Sequence, residues 1–301
     1  MTESPPAPAG VRLGVAFTPD RPPEQLRGLA EAADAAGLDD LWVWEDCFAE
    51  SGVASAAAAL AWTSRITVGI GLVPAPLRAA AVTAMEFAVL GRTFPGRFLG
   101  GIGHGVQEWM EQAGVRVASP LTLLREHVGA VRRLLDGQTV TVEGRYVTLR
   151  DVALAWPPTE QVPLLLGGSG PKALALTGEL GDGTLLTNAL TVEEVAGAVA
   201  RVREAVAGRP DAAGHRHAVV TTVIAAVGDG ARERVDRELA HWGPDPAQDA
   251  GVGGSLDDVA AHVRALAGAG ATTVVVQPTA DEPDLDGFVR LLGQQLRPML
   301  A

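Results

Sequence analysis

The 301-residue sequence holds a single cysteine, Cys47. That excludes a disulfide framework and a thiolate metal cluster, and points to an intracellular, reducing setting. Positive charge is also short. Twenty-four Lys and Arg face 36 Asp and Glu, giving a formal net charge of −12. Phosphate-rich surfaces would repel such a chain, so neither nucleic acid nor an anionic membrane is expected as a partner. A local basic pocket is still allowed. Long hydrophobic runs are missing. The longest small-apolar stretch, Gly52 to Trp62, is too short for a bilayer and mostly alanine. The opening MTESPPAPAG lacks the cationic start and apolar stretch of a secretory leader. The expectation is a cytoplasmic protein, with residues 1–10 as a loose tail and 11–301 as one domain.

What is present suits a folded core. Hydrophobic residues make up 47% and charged residues 20%, which excludes disorder as the main state. Short β-branched runs alternate with longer helical stretches. The runs Arg12–Thr18, Leu41–Glu45, Ile66–Val73 and Arg97–Gly103 read as strands one to four. Pro163–Gly167, Gly183–Asn188, His217–Val227 and Thr272–Gln277 read as strands five to eight. Such runs fit strands buried on both faces of a parallel sheet. Helices are expected at 24–36, 54–63, 77–92, 172–179, 231–241, 256–267 and 287–296. Ser119-Pro120 opens another that Gly137 stops, and Thr191 with Glu194 forms a capping box for one ending at Gly208. Residues 138–150 read as a hairpin excursion around Glu143-Gly144, and 243–254 as an extra segment between strands seven and eight. Eight alternating strands and helices predict an α/β fold, a (β/α)8 TIM barrel; a doubly wound sheet is the competing layout.

Barrel chemistry sits where strands run out into the following loops. Gly167-Gly168-Ser169-Gly170-Pro171-Lys172 follows an apolar strand and opens a helix. Its glycines, the free N–H groups of the first turn and Lys172 make a credible phosphate cradle, against the plainer reading of an ordinary glycine-rich loop. Gly100–Gly105 would let a flat ring lie on the backbone, and places His104 at the barrel mouth. Gly69, Gly71 and Pro74 weaken strand three and suggest a bulge or close ligand approach. Glu45 and Asp46 end strand two and are candidates for acid–base work. Cys47, without a cationic neighbour, reads as inert. His215-Arg216-His217 resembles a metal pair but lies at the start of a strand, the wrong end for barrel chemistry, so no metal site is expected.

At these residues the sequence resembles the bacterial-luciferase-like flavin and deazaflavin oxidoreductases. The carriers are GLDDLWVWED (37–46), ITVGIGLVPAPLR (66–78), FPGRFLGGIGHG (94–105), PLLLGGSGPKAL (163–174) and GDGTLLTN (181–188). The resemblance implies a luciferase-like barrel binding coenzyme F420 (8-hydroxy-5-deazaflavin) or, alternatively, FMN. It places a bulge, often with a cis peptide, at Gly71-Leu72 behind the ring. Gly103, His104 and Gly105 would border the ring. The loop Gly167, Gly168, Ser169, Gly170, Pro171 and Lys172, with Asn188, would complete the cofactor site. Family habit is a homodimer acting on a small molecule. Two departures stand out. Asp46 occupies the place where relatives carry His, and Val106 the place where the deazaflavin sugar-phosphate dehydrogenases carry Glu. The implied activity is hydride exchange between F420 and a small organic substrate, with His104 as first choice of general acid, then Glu45 or Asp46. An FMN-dependent monooxygenase and a non-catalytic, ligand-binding barrel are the alternatives.

Overall fold

A computed structural model describes residues 10–186, 190–242 and 249–300. The tail expected at 1–10 falls, apart from Gly10, outside the described residues, and so does Asn188. Eight parallel strands close a barrel: Arg12–Phe17, Asp40–Val43, Thr67–Ile70, Phe98–Gly103, Leu164–Gly167, Gly183–Leu186, Ala218–Val227 and Thr273–Pro278. Each pairs with its neighbours in chain order. Strand one meets strand eight with Val15 beside Val276, which shuts the ring. The order 1-2-3-4-5-6-7-8 and the intervening helices are those of the expected (β/α)8 barrel.

The alternation of side chains divides the core in two. Leu13, Val15 and Phe17 point outward and pack under the helices with Leu29 and Ala33. Ala16, Trp42, Leu165, Leu185, Val220 and Val275 point inward and fill the barrel. Helix Leu26–Ala36 ends at Gly37, whose φ of 87° is left-handed and suits glycine. Thr191 and Glu194 form the expected capping box of helix Val192–Ala207. The hairpin excursion is Val140–Glu143 paired antiparallel with Thr148–Val152.

Two expectations need correction. Strand three does not run unbroken from Ile66 to Val73. It stops at Ile70, and the chain resumes as the short piece Val73–Pro74 beside Ile102 and Gly103. The segment 243–254 is not wholly loop, because Gly251–Gly254 is a strand that pairs parallel with Ile224–Val227 at the end of strand seven. Packing makes it so. A side chain at Gly253 would start 2.5 Å from the carbonyl of Ala231, and one at Gly251 2.8 Å from Val235, so the strand lies flat against helix Ala231–Trp242.

Candidate active site

The C-terminal ends of the strands surround a cavity of about 350 Å³. Its first wall is the break in strand three. Here two backbones touch: a Cβ on Gly101 would lie 1.9 Å from the Ile70 carbonyl oxygen. The Gly71–Leu72 peptide is cis, as is Cys47–Phe48. Leu72 turns into the space above Gly103, where a Cβ would meet it at 2.4 Å. Below, the Trp42 ring slides over Gly69, whose Cβ would meet it at 2.6 Å. Packing thus requires glycine at 101, where the neighbour is backbone, and favours it at 69 and 103, and the product is a flat ledge formed by Gly71 and Leu72.

Gly167, Gly168 and Ser169 continue the ledge. Gly168 packs on Ala173 of the following helix, Pro171–Leu180. No side chain caps that helix, so its first-turn N–H groups face outward at the rim. Lys172, the only lysine in the chain, stands there exposed. Gly170 has open space where a Cβ would go. Anionic charge is favoured at such a terminus. His104, Gly105, Gln107 and Trp109 close the third side.

The two carboxylates that follow strand two, which stops at Val43 rather than Glu45, differ. Glu45 is buried, and Arg78 forks onto both its oxygens, Nη2 at 2.8 Å from Oε2. The Gly52 N–H donates to the same Oε2 at 3.0 Å. Its acceptor sites are committed to structure. Asp46 makes no side-chain hydrogen bond among the described residues. Burial, then the carboxylates of Asp20 and Glu50, push its acid up to about 6. His104 Nδ1 donates to the Gly105 carbonyl at 2.8 Å, which leaves Nε2 free. The Cys47 thiol is pushed up by burial and by Glu45 and Asp46, in keeping with an inert thiol.

Residues 7–275 match the family described as luciferase-like monooxygenase. The chain belongs to this family. A luciferase-like relative, the 5,10-methylenetetrahydromethanopterin reductase of Methanolobus tindarius, is 27% identical over 94% of this chain and 99% of its own. The F420-dependent glucose-6-phosphate dehydrogenase of Kineococcus radiotolerans is 34% identical over 55% of this chain and 53% of its own. Among solved structures, an F420-dependent secondary alcohol dehydrogenase in complex with an F420-acetone adduct superposes with a TM-score of 0.84, at 19% identity, over 97% of this chain and 100% of that one.

Most residues expected to form the site of this luciferase-like protein converge. Glu45, Asp46, Gly71, Leu72, His104, Gly105, Gly167, Gly168 and Ser169 all line the one cavity. Gly103 does not; it is buried beneath Leu72 and serves packing. Gly170, Pro171 and Lys172 lie outside the wall, at the exposed rim. His215 and His217 are at the opposite end of the barrel, where His217 Nε2 pairs with Thr184 Oγ1 at 2.8 Å. Among the described residues no group of three acidic, His or Cys side chains is arranged to hold a metal. None of their helices is long and apolar enough to cross a membrane. Arg78, Thr222 and Gln277 escaped notice as side chains. Gln277 stood at a strand end worth inspecting, whereas nothing near Arg78 in sequence announces Glu45, 33 residues away.

Proposed function

We propose that this protein is an F420-dependent oxidoreductase that exchanges a hydride between the deazaflavin and a small organic substrate. The observation that carries the reading is the glycine ledge of Gly71, Leu72, Gly167 and Gly168 inside a closed barrel mouth, with an uncapped helix N-terminus and Lys172 at its rim. A planar ring fits the ledge, and an anionic tail fits the rim. The full-length likeness to a family of reductases, and the partial likeness to F420-dependent dehydrogenases, favour the deazaflavin.

When bound, the deazaflavin supplies two-electron hydride chemistry. The chain's own residues do the rest. Gly71 and Leu72 back the ring, and Gly167, Gly168 and Ser169 flank it. Lys172 and the helix terminus hold the phosphate. Trp44, Trp109 and Leu186 keep water from the reacting face. Asp46 is the proton donor. Its acid, held near 6, keeps its proton up to about pH 6, where a free carboxyl has already lost it. In its neutral form His104, with its proton on Nδ1, presents Nε2 as an acceptor, which suits relay better than donation. Glu45 fixes the strand-two end. The cavity lining carries no Lys or Arg among the described residues, which argues against a sugar phosphate.

Titration of the purified protein with F420 and with FMN tests the reading. Saturable F420 binding with a change in its absorbance, and much weaker FMN binding, is expected. Tight FMN binding with oxygen consumption would favour a monooxygenase, the chemistry in the family's description. Binding of neither would favour a non-catalytic barrel.

The homodimer belongs to the same proposal. Val82, Met85 and Val89 are 43%, 57% and 62% exposed on one face of helix Ala80–Thr93. Their spacing makes a continuous apolar stripe that a second copy would cover. Sedimentation of the wild type and of Met85→Glu tests it. A cytoplasmic setting fits the free thiol of Cys47.

A further inference from the structure

Strand eight stands across the closed barrel from strand four, and strand seven from strand three. The wall facing the glycine ledge therefore comes from strands seven and eight, with Trp42 of strand two as part of the floor. Among the buried side-chain groups without a protein partner, two N–H donors belong to residues that line the cavity. Trp42 Nε1, in a side chain 2% exposed, and Gln277 Nε2, in one 6% exposed, make no hydrogen bond among the described residues. Both residues line the cavity. Strand one lies between their strands; its inward residues Gly14 and Ala16 offer no side-chain acceptor, and the buried hydroxyl of Thr18, just past its end, bonds neither donor. On strands seven and eight the other lining residues Val220, Ile224 and Val275 are apolar, and Thr222 carries a hydroxyl that bonds neither donor.

Buried donors without partners are costly and few. A site that keeps two, in residues lining one cavity, is complete when a ligand brings the acceptor. The charge of that ligand follows from the walls. No lining residue among those described is Lys or Arg, and residues 187–189 and 243–248 contain none either. A carboxylate or phosphate at this depth would meet Asp46 and Glu45 and no countercharge.

We propose that Gln277 and Trp42 form a substrate-recognition pair, whose two N–H groups hold the carbonyl oxygen of a neutral, largely apolar organic compound. The inference rests on the cavity being the site of hydride exchange and adds the class of substrate. Gln277 acts in specificity and takes no part in proton transfer.

The test uses the full chain with three water-soluble probes: cyclohexanone, cyclohexanecarboxylate and F420. The indole N–H signal of Trp42, identified by its loss in Trp42→Phe, reports on the first two by NMR without any cofactor present. Cyclohexanone is expected to shift that signal, and the carboxylate to bind at least tenfold more weakly. Gln277→Met should raise the cyclohexanone Kd about tenfold, yet change F420 affinity less than twofold. Gln277→Glu, which removes both amide donors at constant size, serves if the methionine variant does not fold. Unchanged cyclohexanone affinity in a folded variant, or equal binding of the carboxylate, overturns the pair. A loss of F420 affinity in Gln277→Met also overturns it, by assigning the residue to the cofactor. If the wild type binds cyclohexanone in this way but not F420, the recognition pair stands and the proposed redox function falls.

Discussion

Arg78 holds Glu45 with both terminal nitrogens of its guanidinium, while its Nε donates to Glu86 at 3.1 Å. The pair ties the loop after strand three to the end of strand two, the two segments that carry the ledge and Asp46. The Arg78 and Glu45 side chains are only 14% and 8% exposed. Removing one partner of such a pair leaves a buried charge uncompensated, which costs about 3–5 kcal/mol. Arg78→Leu is therefore expected to lower unfolding stability by about that amount in urea titrations. Glu45→Gln keeps hydrogen bonds to Arg78 and Gly52 and should cost less. A loss under about 1 kcal/mol for Arg78→Leu would mean that the ion pair does not organise this corner.

Asp46 gives a signed pH dependence. An unfolded aspartate titrates near 4, and the folded one at about 6. The native state thus holds its proton more tightly. The stability this contributes is complete below about pH 4 and is lost as pH rises through 6. Asp46→Asn has no such loss. It should match the wild type near pH 4 and exceed it by ~2–3 kcal/mol at pH 8. Thermal midpoints across that range check the sign. Turnover should carry a limb that falls above about pH 6 in the wild type and is absent in Asp46→Asn. If that limb persists in the variant and vanishes in His104→Ala, the proton donor is His104.

The barrel was legible because its eight strands are short apolar runs set between clear helix signals. Those patterns reflect burial on both faces, which acts locally on each run. Gly251–Gly254 was not legible: three of its four residues are glycine, and its pairing with strand seven depends on how closely helix Ala231–Trp242 presses on it. The break after Ile70 was half legible, since the glycines hinted at a bulge while the β-branched run suggested continuity. In the site, His104 beside Gly105 and the loop at 167–169 line the cavity together, as their nearness along the chain suggested. Nearness failed for Glu45, which looked like a free carboxylate because its partner is remote in sequence. It failed too for Gly103, whose small size accommodates Leu72 rather than a ligand.

The glycines of the ledge and rim should behave differently on substitution. At Gly101 a methyl group would collide with the Ile70 backbone, which no rotamer change relieves. Gly101→Ala should cost about 3 kcal/mol or more and yield largely insoluble protein. At Gly170 the space is open and φ is −80°, so alanine is compatible. Gly170→Ala should keep the wild-type melting temperature within about 1 °C. Equal solubility and melting temperature for the two variants would contradict the close approach of strands three and four.

Lys172 tests the rim. It is exposed on the first turn of an uncapped helix, so its contribution to fold stability should be small, and its contribution to an anionic tail larger. A charge-assisted hydrogen bond of this kind is worth about 1.5–3 kcal/mol, roughly ten- to a hundredfold in affinity. Lys172→Met should therefore weaken F420 by at least about tenfold, with an unchanged unfolding midpoint. Exposed charges are screened within about 10 Å at 0.1 M salt. The wild-type affinity should accordingly fall as salt rises, and that of Lys172→Met should fall less. A deazaflavin fragment that stops short of the phosphate would bind the wild type and the variant alike. Equal weakening of the fragment and the full cofactor would place Lys172 at the ring instead, and would move the phosphate away from the helix that begins at Pro171.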